Sequence, residues 1–198
     1  MAGRGRPRSF DRDQALERAM QVFWAKGYEG AQLVDLTAAM GINPPSFYAA
    51  FGSKQEIFRE AIDLYLATAG ANAMRVLDET PVARAAVEAM LRASAAVALA
   101  APEAGGCLLI LGLVNCLPEN QPSRDYLRDL RRATIERIRQ RLDRGVGDGD
   151  LIQGTDTAKL ASFYAAVMQG LSLQARDGAG PEELDAVVAA AMHALDRP

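Results

Sequence analysis

Residues 31–54 read AQLVDLTAAMGINPPSFYAAFGSK, and they decide the fold. Val34 to Met40 forms a short helix. Gly41 supplies the turn after it, where positive φ costs glycine least. Asn43 caps a second short helix, and Pro44 takes the first helical position, where a missing N–H leaves nothing unpaired. Leu36, Met40, Ile42, Phe47 and Phe51 are spaced to lock both helices against a third. Ser46, Tyr48, Ala49 and Ala50 are left near the outer face of the second helix. A short helix with a small, polar and aromatic outer face is what a reader of the DNA major groove needs.

Outward from that stretch, composition narrows the class. The chain has 198 residues, 49% of them hydrophobic and 24% charged, which suits a helical protein with a substantial core. The longest apolar run, Cys107 to Val114, falls far short of the roughly 20 residues of a membrane span. No apolar segment follows the basic N-terminus, so no secretory signal is read there, and two cysteines fit a reducing compartment; the expectation is a cytoplasmic protein without a membrane partner. The net charge of −3 is unevenly spread: residues 1–60 carry +1 and residues 61–198 carry −4. Arg4, Arg6 and Arg8 form an extended arm that Gly5 and Pro7 keep out of a helix. Spaced arginines on such an arm suit a minor groove, and a solvated tail is the other reading.

The rest reads as helix throughout. The first helix begins at Asp11, with Gln14 in a capping-box position, and ends at Gly27. Ser53 and Glu56 form the same signal for a fourth helix carrying Ile57, Phe58, Ile62, Tyr65 and Leu66, read as running past Asn72. Further helices are expected from Pro81 to about Ala101, over Gly106–Val114, from near Ser123 to Arg144, from Thr155 to Ala175, and from Pro181 onward. The expected fold is all-α, with about nine helices. Its parts are the arm over residues 1–9, a helix-turn-helix domain over 10–65, and a helical domain for effector binding and dimerisation over 66–198. The last two helices are rich in small and apolar residues, and Leu160, Val167, Leu171, Leu184, Val188 and Met192 are the expected homodimer contacts.

Four short motifs fall in register. Asp35-Leu36-Thr37, Gly41-Ile42-Asn43, Tyr48-Ala49-Ala50-Phe51 and Ser53-Lys54-Gln55-Glu56 stand at the spacing of a known pattern, with Phe23 and Gly27-Tyr28 before them. With these residues the segment from Phe10 to about Tyr65 resembles the DNA-binding domain of the TetR family of bacterial transcriptional repressors. It departs from the family where Pro45 replaces a frequent glycine and Ala50 a frequent histidine. The resemblance implies phosphate contacts from Gln32 and Tyr48 with Lys54 in support, and a base-facing segment from Pro44 through Pro45 and Ser46 to Phe47, capped by Asn43. It implies a palindromic double-stranded operator and a small-molecule effector whose binding moves the fourth helix. Phe58, Tyr65, Met90, Leu91, Cys107, Leu111, Phe163, Tyr164 and Met168 are the candidate pocket wall.

Cys107 opens an apolar segment after two glycines, a position where a helix dipole favours the thiolate, so sensing of electrophiles or oxidants is an alternative. If Cys107 and Cys116 share one helix they lie on opposite faces and cannot bond, leaving one modified cysteine or an intersubunit bond as the route. His193 is the only histidine and has no cysteine near it in sequence, so neither a catalytic dyad nor a metal site is expected, and no cofactor. The competing class is a helical interaction module for which the arm is only a docking device.

Overall fold

The computed structural model describes residues 10–100 and 105–196. Arg4, Arg6 and Arg8 lie outside the described residues. Among those described there are ten α-helices, two short 3-10 turns and no strand. α1 spans Arg12–Gly30, α2 Leu33–Met40, α3 Pro44–Phe51 and α4 Lys54–Ala67. α5 spans Ala71–Glu79, α6 Ala83–Ala100 and α7 Leu108–Leu111. α8 spans Gln121–Gly147, α9 Thr157–Arg176 and α10 Pro181–Met192.

The local signals at the start act as their chemistry dictates. The Asp11 carboxylate accepts from the Asp13 and Gln14 amides and caps α1. The Gln14 side chain does not return the bond and accepts instead from Arg18. Gly41 takes φ 69° at the end of α2, Asn43 Oδ1 accepts from the Ser46 amide, and Ser53 Oγ accepts from the Glu56 amide. α1 is broken at Gly27, at φ 67° and ψ 174°, and the freed Tyr28 amide donates to the Gly112 carbonyl at 2.7 Å.

Rings dominate the first core. Phe58 meets Phe23 and Tyr28 edge-on at 5.0 and 4.8 Å between centroids, and Trp24 meets Tyr65 at 4.9 Å. Phe47 and Phe51 seat α3 on this cluster. Arg12 ties three helices together: it pairs with Glu60, reaches the Ala50 carbonyl and lies 4.5 Å over the Phe51 ring. The cluster also takes in Leu108, Leu109, Leu113 and Leu127, so side chains far beyond residue 65 complete it. The second core, between α5, α6, α8, α9 and α10, sets alanines such as Ala83, Ala86, Ala161 and Ala191 among larger side chains such as Met90, Leu91 and Tyr164. Buried Arg141 caps its edge by donating to the Thr80 and Pro81 carbonyls.

Three expectations about helices are corrected. The fourth helix does not run past Asn72; it stops at Thr68 and restarts at Ala71. The Tyr65 carbonyl there accepts from both Thr68 and Gly70, and the Tyr65 ring fills the space a Cβ on Gly70 would need. The apolar segment 106–114 contains only one turn of α-helix, so Cys107 and Cys116 do not share a helix and the geometry assumed for them falls away. The helix expected from near Ser123 begins earlier, at Gln121, with Pro122 in its first turn.

Candidate DNA-reading face and effector cavity

The reading face follows from how α3 is seated. Phe47 is 0% exposed, so its ring faces the core and leaves the opposite side of α3 to solvent. Pro44, Pro45 and Ala49 are exposed, Ser46 is partly so, and Tyr48 is 53% exposed. Phe47 was expected among the base-facing residues and is corrected to a core residue: one turn cannot show the same ring to both sides. The Asn43 carboxamide oxygen is committed to its cap. Gln32 is exposed at the start of α2, with its Nε2 donating to the Glu29 carbonyl. Asp35 accepts from the Gln32 amide and pairs with Lys26 at 2.7 Å, and these contacts hold its carboxyl below the usual range. Lys54 lies in the first turn of α4, its ammonium 4.5 Å over the Tyr28 ring, and burial pulls its pKa down. Tyr48 and Lys54 therefore stand on neighbouring helix ends, one as an exposed phenol and the other as a cation braced by a ring.

A second feature lies where α4, α6, α8 and α9 splay apart: a cavity of about 80 Å³. Tyr65, Cys107 and Met168 line it as expected. The other candidates do not. Phe58 is locked in the ring cluster, while Met90 and Leu91 are 0% exposed inside the second core. Tyr164 is equally buried, with its hydroxyl on the Ala191 carbonyl, Phe163 points outward at 41% exposure, and Leu111 packs over Gly106. Helical spacing identified apolar residues but not which neighbour each one faces.

Sequence reasoning missed the polar wall. Ser94, Arg131, Thr134, Gln169 and Ser172 all line the cavity. The Ser94 hydroxyl is buried and has no hydrogen-bond partner among the described residues. Arg131 belongs to a helix dense in charged residues, yet its Nη1 donates to the Leu109 carbonyl at 3.0 Å beside the cavity. The available signal was that a leucine-flanked arginine falls on the same stripe as Leu127 and Thr134.

Cys107 reverses its expected chemistry. Its amide donates to Ser172 Oγ at 2.6 Å, and the Tyr65 hydroxyl donates to its sulfur at 3.2 Å. Burial pushes the thiol pKa up, outweighing the downward pull of that hydroxyl and of the Leu109 and Ile110 amides. A four-residue helix has too little dipole to win against desolvation, so the resting group is the neutral thiol. Burial likewise raises the Tyr65 phenol and keeps it a donor.

Cavity and reader are joined through the segment that carries Cys107. Trp24 Nε1 donates to the Gly106 carbonyl at 3.0 Å, and the Tyr28 amide donates to Gly112. The Glu29 carboxylate accepts from the Leu117 amide and the Asn120 side chain. Each bond runs from α1, against which α2 and α4 pack, to a strand of chain whose inner side meets the cavity.

The expected homodimer contacts divide. Leu171, Leu184, Val188 and Met192 are buried within their own protomer and are corrected to core; Leu160 and Val167 are partly exposed. The outer faces of α9 and α10 instead present Phe163, Leu173, Ala166, Ala186, Ala189 and Ala190. Among the described residues no helix is long and apolar enough to cross a membrane, and no group of three or more His, Cys, Asp or Glu is placed to hold a metal.

Comparison with known proteins agrees with this arrangement. Residues 15–61 match the family described as bacterial regulatory proteins, tetR family, and residues 81–191 match the tetracyclin repressor-like C-terminal domain. The HTH-type transcriptional repressor ComR of Escherichia coli (strain K12) is 33% identical over 183 residues, covering 91% of this chain and 87% of its own. The HTH-type transcriptional repressor BdcR of the same organism is 31% identical, covering 96% and 92%. A cysteine-substituted form of the TetR-family regulator CifR, solved with a 26-base-pair operator, is 49% identical with a TM-score of 0.92, covering 96% of this chain and 99% of that one. The chain belongs to the TetR family of bacterial regulatory proteins.

Proposed function

We propose that this protein is a cytoplasmic transcriptional repressor that binds a palindromic operator as a homodimer and is released by a small molecule. The observation that carries the reading is α3: its core side is fixed by Phe47 and Phe51, and its outer side offers Ser46 and Tyr48 beside Lys54. Tyr48, Gln32 and Lys54 would hold phosphates and set the register, while Pro44, Pro45 and Ser46 meet base edges by apolar contact and a single hydroxyl. That a relative of 49% identity was solved on operator DNA supports the same mode here. The outward faces of α9 and α10 supply the self-complementary surface that a two-fold operator needs.

Residues 66–198 would form the sensing half. A ligand releases DNA only if it binds the released state better, and the cavity sits where that preference can be transmitted. α4 carries Tyr65 at the cavity and Lys54 at the reader, and the Gly106–Asn120 segment holds α1 by three sets of hydrogen bonds. A helical interaction module is not favoured, since it gives no reason for an exposed α3 face. Sensing through a resting Cys107 thiolate is not favoured either, since burial keeps the thiol protonated.

The test is a fluorescence-anisotropy titration of DNA from upstream of the protein's own gene against a scrambled duplex at two salt concentrations. Selective and salt-weakened binding is expected, and Tyr48→Phe should weaken it by about 0.5–1.5 kcal/mol with the melting temperature unchanged. Equal affinity for scrambled DNA would refute the reading.

A further inference from the structure

The cavity wall holds a charge that has no carboxylate partner among the described residues. Along α8, Arg128 pairs with Asp125 and Asp129, Arg137 with Asp78, and Arg139 with Glu136, while Arg132 is exposed and keeps its charge in solvent. Arg131, half-buried on the side that meets the cavity, has no carboxylate partner among the described residues. Its one bond is to a neutral carbonyl, from Nη1 to Leu109. Burial lowers its pKa, and Cys107 is the neighbouring group that acts against that shift.

The rest of the polar lining cannot supply that compensation. Tyr65, Ser94, Cys107, Thr134, Gln169 and Ser172 are neutral, and no acid among the described residues lines the cavity. The acids at the adjoining groove are spoken for: Glu79 pairs with Arg75 and Asp78 with Arg137. A second unmet group points the same way, because the buried Ser94 hydroxyl has no partner. Most of the remaining wall is apolar, including Leu66, Met74, Val97, Ile110 and Met168. At about 80 Å³ the space has room for roughly five to eight waters, hence for a small organic molecule.

We propose that the effector is a small organic monoanion, a carboxylate with a short apolar body, whose charged end pairs with Arg131 and whose body lies against Val97, Ile110 and Met168. This rests on the reading of the cavity as the effector site and goes further by naming the chemistry it selects. A guanidinium in a partly dry site is suited to a planar carboxylate, which it can bind through two parallel N–H donors. An uncharged analogue of the same shape leaves the cation unpaired and gains only the apolar contact.

The experiment uses the full-length protein without DNA. Linear carboxylates from butanoate to decanoate, and the corresponding amides, are titrated by calorimetry into the wild type, Arg131→Gln and Arg131→Lys, with melting curves to establish folding. The expected result is that at least one carboxylate, hexanoate being the best fit to the space, binds about tenfold or more tightly than its amide. Arg131→Gln should abolish that preference and Arg131→Lys keep part of it. Amides binding as well as carboxylates, no member of the series binding, or Arg131→Gln retaining hexanoate affinity would each overturn the proposal. Should Arg131→Gln fail to fold, the wild-type carboxylate-to-amide ratio decides alone. A parallel operator titration separates the two readings. Carboxylate binding that leaves operator affinity unchanged upholds the anion site and breaks the ligand-released function; amides releasing operator as well as carboxylates do the reverse.

Discussion

The two halves of this molecule use different packing for different ends. Around α1 to α4 the core is aromatic, with Phe23, Tyr28 and Phe58 meeting edge-on and Trp24 closing on Tyr65. Rings in such contacts set angle as well as distance, so three short helices hold one reader in a fixed pose. Around α6, α9 and α10 the core sets alanines, which bring backbones close but fill little volume, among larger side chains. A cavity remains beside them, and on its wall a hydroxyl and a guanidinium have no hydrogen-bond or carboxylate partner, respectively, among the described residues. The half that presents α3 is packed full; the half proposed to receive a molecule keeps a cavity.

The largest test of that contrast is Phe58→Ala. Phe58 is 0% exposed and joins two other rings, so its loss should cost about 3–5 kcal/mol by chemical denaturation. A cost near 1 kcal/mol would mean the ring cluster is not the rigid part. Next in size is Gly27→Ala. The residue sits at φ 67°, and a Cβ there would come within 3.2 Å of the Gly112 carbonyl oxygen. Strain and disturbance of the Tyr28–Gly112 bond should together cost about 1–3 kcal/mol, more than Gly41→Ala, which meets only an arginine tip. Equal costs at the two glycines would remove the joint between α1 and the cavity segment from the account. The smallest effect is expected at Ser94→Ala, within about 0.5 kcal/mol of the wild type or slightly stabilising, since a hydroxyl without a partner contributes nothing to lose. A loss above 1 kcal/mol would show that the hydroxyl is bonded after all and that the cavity wall is better satisfied than described.

What could be read from sequence follows the same division. Gly41, Asn43, Pro44 and Ser53 act on backbone within a few residues of themselves, so their meaning is local and legible. The break after α4 is not local in that way. Ile57, Ile62, Tyr65 and Leu66 keep helical spacing up to it, and only the packing of the Tyr65 ring over Gly70 sets the stop. Likewise the run from Cys107 to Val114 looks helical until the Gly112 carbonyl is engaged by Tyr28 from another helix. Periodicity placed Leu171, Leu184, Val188 and Met192 on apolar stripes without saying that those stripes close on their own protomer. The polar cavity wall was the least legible part. In sequence Gln169 does not differ from the solvated residues around it, and Arg131 differs only in sharing a stripe with Leu127 and Thr134, until the neighbouring helices are in place.

We infer that two such readers, held by a two-fold pairing of α9 and α10, engage one operator. Hydroxyl-radical footprinting of the upstream DNA with the full-length protein tests it directly. Two protected patches related by a dyad are expected, with centres about one helical turn apart or slightly more. A single patch without a dyad, or even protection along the whole duplex, would contradict it.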